Sequence, residues 1–354
     1  MNSVIKRMVI VGSISRSPYM NEVPNLVEKG IFSNFFSPVI FSNSISRGCL
    51  INGCSFSKML GKAIQMSSDS INIHQSFTNT NVSIYDTQFI SCFHNSDGGA
   101  ITIKGTSITL EIKACLFKKC NAGASGGGAI YSEGPSIKIE FSHFVQNYAF
   151  VGYSWVFSGK KITNNTCCIH CSSELESHGD GTWGITMIID FPVFIMKGTN
   201  ISKTHNANPE WACFLIREGA CPLLKHNQIV SNTGTNMFKG DIITQKFIIE
   251  DSNLIGNQFS KFFATSNADI ELSRCSLITN TFSNLCDNQR VYMNFCSLSS
   301  EDVNRNQCFV NSCIFLSTQH QSIEECDKPI RETFLSQKKP VFGFICSVFV
   351  AFFT

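Results

Sequence analysis

Along the chain, apolar and polar positions fall into one short phrase that keeps returning. A large apolar residue is followed three positions later by Asn or Cys: Phe89 to Cys92, Phe117 to Cys120, Phe144 to Asn147, Ile229 to Asn232, Leu254 to Asn257 and Leu277 to Asn280. Two positions before each apolar residue stands a small or polar one: Thr87, Cys115, Ser142, Asn227, Ser252 and Cys275. A spacing of two places both on one face of a β-strand. Each phrase therefore predicts a short strand with one small and one large inward side chain. The Asn that follows predicts a sharp turn, because Asn tolerates left-handed backbone and hydrogen-bonds locally.

The apolar members are separated by 28 (117 minus 89), 27 (144 minus 117), 25 (254 minus 229) and 23 (277 minus 254) residues. A second phrase, Gly98-Gly99-Ala100-Ile101, returns as Gly127-Gly128-Ala129-Ile130 after 29 residues (127 minus 98), and the same offset carries Ile108 onto Ile137. Paired glycines predict a tight bend with close backbone approach, after which Ala-Ile opens the next inward strand. Short alternating strands at this period predict an all-β parallel β-helix, each coil lying about 4.8 Å from the next so that like side chains stack. Cys92 and Cys120 then stand on neighbouring coils, within the Cα range of about 4.4 to 6.8 Å that a disulfide needs. With Cys115 they can equally be a ladder of buried free thiols, since Cys packs as a small hydrophobe.

Gly98 to Ile101, Gly127 to Ile130 and Phe144-Val145-Gln146-Asn147 resemble the paired Gly-Gly-Ala-Ile and Phe-x-x-Asn repeat of the chlamydial polymorphic outer membrane proteins (Pmp). The Cys-rich units look like those in surface-protein families of parasitic protists. The resemblance covers roughly residues 49 to 150 and 216 to 316. It implies a right-handed, pectate-lyase-like β-helix solenoid and a surface-exposed, adhesive structural protein, and it offers no catalytic residue. The expected organisation is an N-terminal cap with irregular first coils over 1–45, coils over 46–150, coils with loop insertions over 151–215, further coils over 216–335, and a hydrophobic tail over 336–354.

Composition narrows the function. Lys+Arg 28 against Asp+Glu 26 gives a net charge of +2, so no bulk attraction to nucleic acid is expected. Charged residues are 15% and hydrophobic ones 43%. Against roughly 25% charge in an average domain, such a chain buries a core and is not disordered. With 31 Phe and 9 Pro, the mix favours strands. There are 17 Cys, an odd number that leaves at least one without an intramolecular partner. Val341 to Phe353 carries no charge and follows Lys338-Lys339-Pro340. It reads as a short membrane anchor, a lipid-anchor signal tail or a terminal strand, being shorter than the about 20 residues of a full span.

Candidate chemistry is sparse. Cys167, Cys168, His170 and Cys171 carry metal-type side chains but lack two spaced ligand pairs. His178 and Asp180 flank a glycine turn, and Asp86, Asp97, Asp180, Asp190, Asp241, Asp251 and Asp269 share no coil position. Gly126-Gly127-Gly128 lacks the Lys of a phosphate loop. Three acceptor sequons begin at Asn81, Asn164 and Asn200, and outside the cell these would mark exposed loops. No catalytic, cofactor-binding or metal-binding residue is assigned and no cofactor is expected. The expected function is a non-enzymatic cell-surface or extracellular scaffold, meeting a protein or glycan ligand on an exposed face and a membrane through its tail. The alternative is a carbohydrate-active β-helix enzyme, a polysaccharide lyase or hydrolase.

Overall fold

In the computed structural model the chain is a parallel β-solenoid. The structure describes residues 4–14, 25–42, 48–67, 80–105, 107–149, 155–158, 162–165, 168–170, 187–190, 194–203, 205–206, 212–217, 223–241, 246–265, 268–286, 290–299 and 308–316. Their strands form three parallel sheets of 13, 13 and 11 strands, and successive rungs contribute one strand to each sheet in turn. The hydrophobic tail over 336–354 lies outside the described residues, among which no helix is long and apolar enough to cross a membrane.

Buried side chains stack in rows along each sheet. In the second sheet the register runs Phe32, Phe56, Phe89, Phe117, Phe144, Ile169, Ile201, Ile229, Leu254, Leu277, Leu298 and Phe315. The expected stack is therefore present: Phe117 lies 4.8 Å from Phe89 and 4.7 Å from Phe144 between ring centroids, with near-parallel planes. All three rings are fully buried. Burying such a ring contributes about 1.5 to 3 kcal/mol. An offset-stacked pair adds about 0.5 to 1.5 kcal/mol. The first sheet carries Val27, Ile51, Ile84, Ile112 and Ile139 in the corresponding row. In the third sheet Ile101 and Ile130 follow Ile40 and Ile64.

The corners differ from the sequence expectation in one respect. Left-handed backbone falls on the residue before each Asn or Cys, at Ser91, Lys119, Gln146, Ser231, Gly256 and Thr279, not on the Asn itself. The preceding residue points outward, so almost any side chain is accepted there. The Asn turns inward and satisfies buried backbone that the bend leaves unpaired. Asn257 Oδ1 accepts from the Asn232 backbone N–H and from Asn232 Nδ2, both at 3.0 Å. Its Nδ2 donates to the Ile229 carbonyl at 2.8 Å and to Asn280 Oδ1 at 2.9 Å. Asn147 serves Cys120 N–H and the Phe117 carbonyl in the same way. Cys120 imitates half of this, its thiol donating to the Phe89 carbonyl at 3.5 Å.

A second correction concerns Ile108. It pairs with Thr80, whereas Leu110 pairs with Ile137, an offset of 27 and not 29. The bend after Lys104 is longer than the one after Glu133, so the third sheet and the first do not share one offset. Residues 4–42 supply rungs to all three sheets: Val4–Lys6 pairs with Leu26–Glu28, Val9–Ile14 with Ile31–Phe35, and Ile40–Ser42 with Ile64–Ser67. Through the middle segment, Trp155–Ser158, Ile162–Asn165 and Cys168–His170 continue the sheets in register.

Candidate interaction site

The Gly-Gly-Ala-Ile turns join the second sheet to the third, and they build the most elaborate corner of the molecule. Gly98 and Gly127 have φ of 73° and 71°. A Cβ on either would lie 2.1 or 2.2 Å from the carbonyl of Ile101 or Ile130, so glycine is required by space as well as by φ. Gly99 has no left-handed φ. There a Cβ would meet the Gly128 carbonyl at 2.2 Å, so its requirement is close approach between rungs. Ala100 and Ala129, Ile101 and Ile130 follow as fully buried residues.

Asp97 locks two such turns together. Its Oδ2 takes a hydrogen bond from Lys104 Nζ at 3.1 Å, and its Oδ1 takes them from Ser125 Oγ at 3.0 Å and Gly126 N–H at 3.3 Å. Partial burial pulls its carboxyl upward, but the Lys104 ammonium and these donors outweigh that and hold it below the usual carboxylate range. The Lys104 ammonium also sits 4.8 Å from the Tyr131 ring centroid. Beside Asp97, His94 Nδ1 and Ser96 Oγ lie 2.7 Å apart, and burial with the nearby Lys62 charge keeps His94 from protonating as readily as a free imidazole.

Lys62 is the unexpected member. It is only 5% exposed, and burial lowers its ammonium pKa to about 8, opposed by Asp97 and reinforced by Lys104. It precedes Ala63, which pairs with Ala100, so it occupies the place of Gly99 on the previous rung. Outside this corner an apolar row faces solvent. The backbone steps from Phe36 to Leu60 to Phe93 to Asn121 to Tyr148 on successive rungs. Phe36, Leu60 and Phe93 are 50%, 54% and 39% exposed.

The structure brings together Gly98, Gly99, Ala100, Ile101, Gly127, Gly128, Ala129 and Ile130 at this corner, with Cys92 and Cys120 just before it. Asn232, Asn257 and Asn280 line the same edge further along. Cys92, Cys115 and Cys120 are fully buried, Cys92 and Cys120 as free thiols and Cys115 at the other edge of the second sheet. Burial pushes the Cys92 thiol well above its ordinary range. The sequon residue Asn81 lies exposed within the strand Thr80–Tyr85, not in a loop. Cys167, Cys171, His178 and Asp180 lie outside the described residues. No three of His, Cys, Asp and Glu gather around a metal-sized point among the described residues. Sequence reasoning missed Phe36, Leu60, Phe93 and Lys62. The available signal was loop length: two residues separate Leu60 from Ala63, six separate Phe93 from Ala100.

The outer face of the first sheet is different in kind, being a lattice of ion pairs. Lys138 meets Glu140 at 2.9 Å and Glu111 at 3.8 Å, Lys225 meets Glu250 at 3.0 Å, and Arg274 grips Asp251 with Nε and Nη2. Exposed pairs of this kind contribute little each, and opposite charges across strands fix register.

No family model, no curated protein and no solved structure matches this chain.

Proposed function

We propose that the protein is a non-enzymatic scaffold of the cell surface or extracellular space. In this reading it contacts a protein or glycan through the corner that carries Phe36, Leu60 and Phe93. The observation that carries the reading is that apolar row. Three large side chains stand outward at equivalent positions of consecutive rungs, although the solenoid buries all five Phe of the adjoining second-sheet ladder from Phe32 to Phe144. Exposed apolar side chains grouped in this way mark contact surfaces. Turns projecting from a rigid frame are where binding is commonly placed. The Gly-Gly-Ala-Ile phrases resemble the Pmp repeat, which supports a right-handed solenoid of adhesive type.

The test uses the full chain and a triple variant, Phe36→Ser, Leu60→Ser and Phe93→Ser, on arrays of immobilised extracellular-matrix proteins and glycans. Loss of wild-type binding in the variant, with its circular dichroism unchanged, is the expected result. Equal binding by both forms refutes the assigned surface, and turnover of any arrayed polysaccharide refutes the non-enzymatic reading. Labelling of intact cells with an impermeant amine reagent tests the location.

A further inference from the structure

Three cysteines stand one above another near the end of the described solenoid. Cys275, Cys296 and Cys313 each precede by two residues a strand residue of the second sheet, and these residues, Leu277, Leu298 and Phe315, follow one another in register. The three thiols therefore occupy one corner position on three successive rungs. At earlier rungs this position alternates thiol with hydroxyl, as in Cys54, Thr87, Cys115 and Ser142. Here no hydroxyl interrupts.

The contacts are direct. The Cys296 backbone N–H donates to Cys313 Sγ at 3.3 Å. Each of the three thiols donates to a carbonyl of the preceding rung, Cys275 to Ile249, Cys296 to Leu272 and Cys313 to Met293. Cys275 and Cys296 are 1% exposed, while Cys313 is partly exposed. Strands on neighbouring rungs lie about 4.8 Å apart, inside the Cα window of about 4.4 to 6.8 Å for a disulfide. The neighbouring Cys275 lowers the Cys296 thiol below its ordinary value despite burial, and burial raises that of Cys313.

We propose that Cys275, Cys296 and Cys313 form a thiol–disulfide exchange site that takes small-molecule disulfides at Cys313 and passes the oxidation inward. Cys313 loses its proton and attacks one sulfur of the small disulfide. A protein–small-molecule mixed disulfide forms, and one small thiolate leaves. The Cys296 thiolate then attacks the Cys313 sulfur and expels the second small thiolate, which takes up a proton. One protein disulfide replaces two thiols, and the small disulfide is reduced to two small thiols. Attack by Cys275 on Cys296 shifts the bond one rung inward and frees Cys313. Cys296 belongs to either bond, so only one exists at a time.

The experiment treats the native full-length chain with the aromatic disulfide DTNB, blocks remaining thiols with N-ethylmaleimide, and then denatures and digests it for mass spectrometry. Trypsin cuts after Arg274, Arg290 and Arg305, which leaves Cys296 as the one cysteine of its peptide. The expected product is a cross-link from the Cys296 peptide to Cys313 or to Cys275. In Cys296→Ser the expected product is a lasting mixed disulfide at Cys313, with no link to Cys275. A persistent mixed disulfide at Cys313 in the wild type, an unmodified Cys313, or a Cys296 peptide joined to another cysteine overturns the proposal. The wild-type result decides the matter even if the variant does not fold.

Discussion

Asn257→Ala tests the corner argument most directly. The substitution removes four side-chain hydrogen bonds from a residue that is 1% exposed. Asn280 Oδ1 keeps the Asn257 backbone N–H, and Asn232 Nδ2 keeps the Ile201 carbonyl. Two donors are orphaned, the Asn232 N–H and the second proton of its amide, along with the side-chain bond to the Ile229 carbonyl. Each orphaned buried group costs about 1 to 3 kcal/mol, so the loss is about 2 to 6 kcal/mol, with water entering the vacated volume drawing it to the lower half. Asn257→Cys restores donation to that carbonyl in the manner of Cys120, and its loss should be about 1 kcal/mol smaller. Urea unfolding followed by circular dichroism gives the two differences. Because solenoids open locally, amide exchange at Asn232 is the sharper assay and should accelerate in both variants. A loss under about 0.5 kcal/mol with unchanged exchange at Asn232 would show that the Asn column does not satisfy the bend.

Further expectations concern the core, the glycine turn and pH. Phe117→Ala should lose about 3 to 5 kcal/mol, and Phe117→Leu clearly less, since Leu254 and Leu277 fill the same row; equal losses would mean that aliphatic volume cannot replace the stacked ring. Gly99→Ala drives a methyl into the Gly128 carbonyl. It should lower the thermal midpoint, whereas Gly256→Ala, which meets nothing closer than 3.7 Å, has only its left-handed φ of 61° to accommodate and should lower it less. The Lys62 ammonium falls from an ordinary 10.5 to about 8 on folding. Between those values the unfolded chain binds the extra proton, so this residue's contribution to stability rises with pH across that window. The difference between wild type and Lys62→Met should shrink or reverse over the same range in unfolding titrations, and a flat difference would remove the buried-ammonium account. Burial raises Cys49 to about 12 and Cys54 to about 11, so both should resist native alkylation at pH 8 and react only after denaturation.

The fold was legible where the inward rows and the corner residues kept one alphabet. Phe89, Phe117 and Phe144 with Cys92, Cys120 and Asn147 announce both the strand and the bend. The first rungs escape that alphabet because Phe35 and Met59 fill the corner with apolar volume instead of an amide. Phe35 packs edge-on against Phe32 at 6.4 Å. In the middle segment the third-sheet register passes through Trp155 and Met187, which share no letter with their neighbours Ile130 and Phe214. Pairing with adjacent rungs carries those strands, and a single rung cannot display it. The candidate site was harder to read, because its members come from turns of unequal length and meet only once the rungs are aligned. Lys62 looks like any surface lysine until Ala63 is paired with Ala100. The place of left-handed backbone was misread for a related reason: Asn suits such a conformation intrinsically, but here its amide is needed inside.

The changing identity of the core rows has a consequence for how the chain threads itself. A stack of near-identical steps could close one step out of place with little loss, leaving a stable but misassembled molecule. Here aromatic steps give way to aliphatic ones along the second sheet, while the third changes from Ile40, Ile64, Ile101 and Ile130 to Phe214, Phe238 and Phe263. A slip by one step near either changeover would set a ring against a branched aliphatic chain in one row without a compensating exchange in the other. The two sequences of bulk therefore act as an address, by which each turn of the chain finds its own neighbour.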